Sequence, residues 1–346
     1  MKDYMTNQSQ ISDHKRGFRW WAGRILMGGL ALLLVLGMAT WLAGAWAKSN
    51  LAKQYPAPGE LADVGGYKMH IDCAGQGNPT VILEAGLDDF SVFWELVQPE
   101  VAKFARVCAY DRAGYGWSEP SPYPRTTETM VKELHTLLVN AKVEKPYVLV
   151  GHSFGGALVR LYTHDYPDEV AGMVLVDSAH EDLFTRIPIW RKANEPMLGL
   201  FRTLAPLSSF GVLALAPDNI PNRGLPDGAL TQYRAILVTT RYFETAIAET
   251  ESFEKNLTEV RAANTTSLGN IPLIVLSRGF WEPLPGISEA ENQQAWQAWQ
   301  VMQSDLVALS SNSKQVIAEK SGHNIHLQQP QLLIEAIRQI VQVTHK

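Results

Sequence analysis

Tyr147-Val-Leu-Val-Gly-His-Ser153-Phe-Gly-Gly156, running on as Ala157-Leu-Val-Arg-Leu-Tyr-Thr-His164, is the stretch that decides the fold. A short apolar run, a glycine-flanked serine and a helical pattern spell strand, sharp turn and helix. In that context the G-x-S-x-G match at residues 151–155 acquires a mechanism: the serine occupies a strained turn and projects its hydroxyl from the sheet edge. Gly151 and Gly155 remove the side chains that would hold strand and helix apart.

Outward from this turn the chain alternates strand and helix. Strand patterns fall at 67–73, 80–84 and 105–110, with a helical stretch at 93–104 between the last two. Residues 126–141 form an amphipathic helix, with Met130, Leu134, Leu137, Leu138 and Ala141 on one face. Thr126 or Thr127 is its N-cap. The strand 147–150, the helix 155–165 and the strand 172–176 follow. Later come strands at 272–277 and 314–318, and a closing amphipathic helix at 330–343. Nearly continuous apolar strands separated by helices predict an α/β fold, with a mostly parallel sheet covered on both faces.

Between Ser178 and Asn270 the rhythm stops. The pattern there is helical, broken at Pro188, Pro196, Pro206, Pro217 and Pro221, and too long for a simple crossover. It reads as an inserted helical cap. Trp296, Trp299, Met302 and Leu306 form a helically spaced apolar stripe that reads as core.

The chain has 346 residues, 46% of them hydrophobic, enough for one large core or two modest ones. A net charge of −5 gives no electrostatic reason to expect nucleic acid as a partner. Phosphate loops, dinucleotide fingerprints and zinc spacings are absent from the sequence, so neither metal nor organic cofactor is expected.

The N-terminus differs in kind. Residues 25–47 carry no charge and are bounded by Arg24 and Lys48. As a helix they reach about 34 Å, enough to cross a hydrocarbon core of roughly 30 Å. Lys15, Arg16, Arg19 and Arg24 precede the run and only Lys48 and Lys53 follow closely. The positive-inside bias therefore puts the tail in the cytoplasm and the body outside. Trp20, Trp21, Trp41 and Trp46 sit near the two ends, where indoles favour the interface. A cleaved signal peptide ending at Ala45-Trp-Ala47 is the rival reading, though the run is longer than the usual apolar region of a signal. The expected organisation is a cytoplasmic tail at 1–24, a transmembrane signal anchor at 25–47, and a linker at 48–60. Core segments at 61–177 and 271–346 then enclose the cap at 178–270.

Four stretches together resemble the α/β-hydrolase fold superfamily: Val81-Ile-Leu-Glu-Ala-Gly86-Leu87, Tyr110-Asp-Arg-Ala-Gly-Tyr-Gly-Trp-Ser118, Gly151-His-Ser-Phe-Gly155 and Ser321-Gly-His323. Their order is similar to the family's oxyanion strand, post-strand turn, nucleophile elbow and histidine loop. The resemblance implies Ser153 as nucleophile and His323 as its base, with His326 and His152 as competitors. The acid usually follows the strand that here is 273–277, where Leu276-Ser-Arg-Gly-Phe-Trp-Glu282 offers no aspartate. The alternative family position, the end of the preceding strand, holds Asp177. Asp177 is therefore preferred, with Glu282 as the alternative acid and Asp182 and Glu289 behind them.

The resemblance also implies backbone oxyanion donors at Phe154 and Leu87. Asp111 and Arg112 open the post-strand turn and are expected to shape loops. The family's strand order would bring Cys73 and Cys108 onto neighbouring strands, making a disulfide the expectation in an oxidising compartment. The expected activity is hydrolysis of a carboxylic ester, acting on a small, lipophilic molecule suited to the Leu-, Phe- and Met-rich cap. Amide, thioester, C–C bond and acyl-transfer chemistry remain open, as does an inactive binding scaffold.

Overall fold

The computed structural model describes residues 2–263 and 267–344, with side chains described from residue 20 onward. A long helix α1 (Lys2–Gln54) leads into the body. The body is built on strands β1 (Glu60–Asp63), β2 (Lys68–Ala74), β3 (Thr80–Glu84), β4 (Val107–Tyr110), β5 (Tyr147–His152), β6 (Val170–Val176), β7 (Leu273–Arg278) and β8 (Ser313–Ala318). They form one sheet in the order β1-β2-β4-β3-β5-β6-β7-β8. β1/β2 and β2/β4 pair antiparallel; every later pairing is parallel.

Burial on both faces explains the continuous apolar strands. Val148 and Val150 face one core with Val81 and Leu83, while Leu149 and Ile82 face the other, as the two-residue period of a strand requires. Helices α2 (Gln98–Val101) and α11 (Pro330–Thr344) contribute Val101, Leu333, Ile337 and Val341 to the first face. Helices α3 (Thr127–Asn140), α4 (Phe154–Asp165) and α9 (Glu289–Val307) cover the second, through Leu134, Leu158 and Trp299. Each large aliphatic side chain so buried contributes about 1.5–3 kcal/mol. Thr126 caps α3 by accepting from the Thr129 amide, and Ser288 with Glu291 forms a capping box on α9.

Between β6 and β7 lie α5 (Leu183–Arg186), α6 (Trp190–Ser209), α7 (Asp227–Leu237) and α8 (Thr240–Ala262). Phe201, Tyr233, Tyr242 and Phe243 make a separate aromatic core there with Phe90, Phe93 and Tyr115 from the sheet loops. The last short helix, α10 (Ile325–Gln328), precedes α11.

Three details depart from the sequence reading. The helix expected at 93–104 is a short 3-10 turn, Ser91–Trp94, and the one-turn α2, because Pro99 lacks an amide to continue the ladder. The linker expected at 48–60 is helical as far as Gln54, since nothing in Lys48–Gln54 breaks a helix before Pro56, and Glu60 opens the unforeseen edge strand β1. The expected tail at 1–24 continues the same helix from Lys2; its side chains up to Arg19 lie outside the described ones. Cys73 and Cys108 stand opposite each other in the β2/β4 register and are joined as a disulfide.

Candidate active site

Ser153 is the single residue between β5 and α4, with φ 52° and ψ −120°. Such backbone costs about 1–3 kcal/mol for a non-glycine residue and must be held by its surroundings. The Ser153 amide donates to the Val176 carbonyl (3.0 Å), and the Ser153 carbonyl accepts from the amides of Gly156 (3.1 Å) and Ala179 (2.8 Å). Close approach does the rest. A Cβ on Gly155 would stand 2.5 Å from the Ala85 oxygen, and one on Gly86 would stand 2.8 Å from His152 Nδ1. Glycine at both positions lets the loop after β3 lie directly against the turn. Phe154, the first residue of α4, has an amide with no acceptor inside its own helix. Leu87 follows Gly86 in that loop. Ser153, Leu87 and His323 line a common cleft of about 240 Å³.

The partners of His323 come from three elements. Asp177 directly follows β6 with φ 42°, and its amide donates to the Leu276 carbonyl on β7 (2.7 Å). Its Oδ2 lies 2.6 Å from His323 Nδ1. The carboxylate is buried and has further donors: the Arg278 amide (3.1 Å), Arg278 Nε (2.6 Å) and the Trp299 indole (3.0 Å). Burial alone would push the Asp177 carboxyl up, but the Arg278 guanidinium, His323 and Trp299 outweigh it and hold it below the ordinary value. Arg278 Nη2 also lies 2.7 Å from His323 Nδ1. That nitrogen can donate to Asp177 or accept from Arg278, and cannot do both. Burial and the Arg278 charge lower the His323 imidazole below its ordinary value, against the pull of Asp177.

Glu282 has a different place. Its Oε2 accepts from the His323 backbone amide (3.0 Å), so it supports the loop's backbone and not the ring. A Cβ on Gly322 would stand 2.5 Å from the Glu282 carboxyl carbon, which is how closely the two pack. Asp182 pairs with Arg186 and Arg261 near the surface, and Glu289 sits in the first turn of α9.

His152 and His326 back the site. His152 Nε2 meets the His323 carbonyl at 3.1 Å, and the rings of His152 and His326 are 4.4 Å apart. Burial drives both imidazoles down, His326 to about 3, so both are neutral at ordinary pH. With Asp89 they offer three ligand-type atoms within 4.8 Å of one another. Arg223 from the cap stands 3.0 Å from Asp89 Oδ1 and 3.2 Å from Asp88 Oδ2, so a cation already occupies the carboxylate side of that cluster. The trio fits a metal poorly for that reason.

Arg112 fixes the loop that carries Leu87. Its Nη1 and Nη2 donate to the carbonyls of Ala85 and Gly86 (2.8 Å each), while the same guanidinium pairs with Glu84 on β3 and Glu249 on α8. All three charged groups are buried. Burial raises Glu84 to about 7 even against the Arg112 charge. Asp111 is spent structurally on His70, the Ser91 amide and the Trp117 amide.

Arg278 and Trp299 were missed as site residues. The available signal was a charge ending the otherwise apolar strand Leu273–Ser277, where an acid was sought. Trp299 was read as core, which it is, yet its indole also reaches Asp177.

A serine at a strand-to-helix turn, with a histidine loop after the last strand of a mostly parallel sheet, defines a hydrolase-fold protein. The model of the alpha/beta hydrolase fold family matches residues 78–207. The chain is 28% identical over 263 residues to protein YqjL of Bacillus subtilis, covering 76% of this chain and 83% of that one. The epoxide hydrolase CorEH superposes with a TM-score of 0.59 at 19% identity, covering 82% of this chain and 98% of that one. A thermophilic esterase from Thermogutta terrifontis superposes with a TM-score of 0.55 at 21% identity, covering 81% and 95%. The chain has the α/β-hydrolase fold, and its segment 78–207 is similar to that family's model.

Proposed function

We propose that this protein is a membrane-anchored serine hydrolase that cleaves a carboxylic ester through a Ser153–His323–Asp177 triad. The observation that carries the reading is one cleft lined by Ser153, on a strained backbone, and by His323, whose Nδ1 lies 2.6 Å from a buried Asp177 carboxylate. Asp177 keeps the proton on Nδ1, which leaves Nε2 free to take the serine proton. Ser153 Oγ attacks the ester carbonyl, and the amides of Phe154 and Leu87 stabilise the oxyanion, each worth about 3–4 kcal/mol. His323 returns the proton to the leaving alcohol. Water then enters by the same route and releases the acid from the acyl-enzyme. None of these steps calls on a metal or organic cofactor.

Serine at the nucleophile position argues against epoxide-opening chemistry by an aspartate nucleophile, so likeness to CorEH is taken as likeness of fold. Leu87, Leu183, Trp190 and Phe253 give the cleft apolar walls, and its modest volume suits a short or medium acyl group. The anchor is α1, whose Trp20–Gln54 segment has a mean hydropathy of 2.2 in its most apolar window. With the basic residues before it, the catalytic body lies outside the cytoplasm.

The test is hydrolysis of p-nitrophenyl esters of graded acyl length by the full chain in detergent, beside Ser153→Ala, with fluorophosphonate labelling. Turnover and labelling that both vanish in the variant support the reading. A folded wild-type chain that neither turns over any ester nor takes the label would end it.

A further inference from the structure

α1 is exposed along most of its described length, but Thr40, Gly44, Ala47, Lys48, Asn50 and Leu51 are wholly or partly buried. All of these except Asn50 follow a spacing of three and four residues that puts them on one face. Gly44 meets the turn that follows α6 in the cap: a Cβ on it would lie 2.5 Å from the Gly211 Cα. Lys48, one turn further on, donates to the Ser208 carbonyl. As residue numbers rise from 44 to 48, their partners fall from 211 to 208. The chain from Ser208 to Gly211, leaving the end of α6, therefore runs antiparallel to α1, down towards the apolar part of that helix.

Depth follows from helix geometry. Gly44 lies four residues before Lys48, the first charge after the uncharged run, or about 6 Å towards the hydrocarbon. Gly211 is level with it. The residues around Gly211 are unusually apolar for a surface: Phe210 is 59% exposed, Leu215 48%, Leu207 39% and Val212 38%. On α6 itself, Met197, Leu200 and Leu207 fall within an arc of roughly 80°, all exposed. Such a patch marks an interaction surface. Here its continuity with the α1 contact fixes what covers it.

Resting on the anchor reading above, we propose that the cap face of Leu207, Phe210, Val212 and Leu215 seats in the interface of the same bilayer that α1 spans, clamping the body onto the membrane. Aromatic and aliphatic side chains at the headgroup boundary are the chemistry such a surface wants. The close Gly44–Gly211 approach, of the small-residue kind used between membrane helices, holds the cap at that depth.

The test places an environment-sensitive fluorophore at Phe210→Cys or Leu215→Cys in the full chain, in nanodiscs holding one chain each. Val139→Cys and Val301→Cys, exposed on α3 and α9, are the comparators. Each labelled chain must keep the wild-type melting temperature. Lipids spin-labelled near the carbonyl should quench positions 210 and 215 at least about twofold and leave 139 and 301 unchanged. Membrane-retained chains with water-exposed, unquenched labels at 210 and 215 would refute the docking while sparing the anchor. So would labels shielded from water but insensitive to the lipid quencher, since protein and not lipid would then cover the face. Chains extracted by alkaline carbonate would overturn the anchor reading and this inference together.

Discussion

Replacing Asp177 by Asn tests which acid serves His323. Asparagine keeps an oxygen for the Trp299 indole or the Arg278 amide, but presents an NH₂ where the carboxylate accepted from Nδ1. An NH₂ there makes Nδ1 an acceptor, and Arg278 Nη2, 2.7 Å away, enforces the same choice. The proton then sits on Nε2, the nitrogen that must be empty to receive it from Ser153. Loss of the correct tautomer in serine hydrolases costs about 10⁴ in kcat, or about 5.5 kcal/mol at 1.36 kcal/mol per decade. Here the arginine leaves no route back to the working tautomer, so the full factor is expected. Breaking a buried ion pair also destabilises by about 3–5 kcal/mol, so melting is followed alongside ester hydrolysis. The double variant Asp177→Asn/Arg278→Met should recover stability without recovering turnover. Glu282→Gln retains an acceptor for the His323 amide and should cost less than about fivefold. The reasoning fails if Asp177→Asn, folded, keeps a tenth of wild-type kcat while Glu282→Gln collapses.

Arg278→Met should move the acidic limb of the kcat/KM–pH profile upward. The guanidinium lowers the His323 imidazole, so the base stays neutral to lower pH with it than without it; an unmoved or downshifted limb would contradict this. Glu249→Ala strips one of the two carboxylates from buried Arg112 and should lower stability by about 3–5 kcal/mol in denaturant titration, with kcat falling as the Ala85–Gly86 loop loosens. A change below about 1 kcal/mol would mean that water reaches the cluster. Ser153→Ala should abolish fluorophosphonate labelling while leaving the melting temperature intact. The Cys73–Cys108 bridge closes a separation of 35 residues, and its replacement by two serines should cost about 3–4 kcal/mol. Free thiols titrating in unreduced, denatured protein would show that the bridge does not form.

The fold was legible because its signals are local. β3 at Thr80–Glu84 and the start of β5 at Tyr147 are apolar runs bounded by turn residues, and α3 carries both its apolar face and its Thr126 cap within a few turns. The strained serine was legible because Gly151 and Gly155 are needed by sterics whatever the rest of the chain does. What escaped was long-range. Arg112 and Glu249 are 137 residues apart, and Arg223 and Asp88 are 135 apart; neither spacing leaves a periodic trace. Trp299 shows the limit of pattern reading differently, since its ring is packed as core while its one polar atom is committed to Asp177.

The most telling departure lies across β6 and β7. The strand usually followed by the acid ends here in Arg278, and the acid proposed for the triad follows the end of its neighbour. Because β6 and β7 pair in register through Val176 and Leu276, their next residues, Asp177 and Ser277, emerge side by side at the same sheet edge, with Arg278 one further on. The carboxylate thus reaches the imidazole from one strand over, and the vacated position carries its counter-charge. That guanidinium is stacked near Trp281 and Trp299, at 5.0 and 4.7 Å from the ring centroids, so it cannot swing away to solvent without exposing both faces. An arginine fixed this close holds the buried Asp177 carboxyl below its ordinary value and opposes the imidazolium that the proposed mechanism asks of His323. Those two effects pull catalysis in opposite directions, a secure acid against a weaker base. In the proposed triad this balance holds the base neutral to lower pH at the expense of its strength.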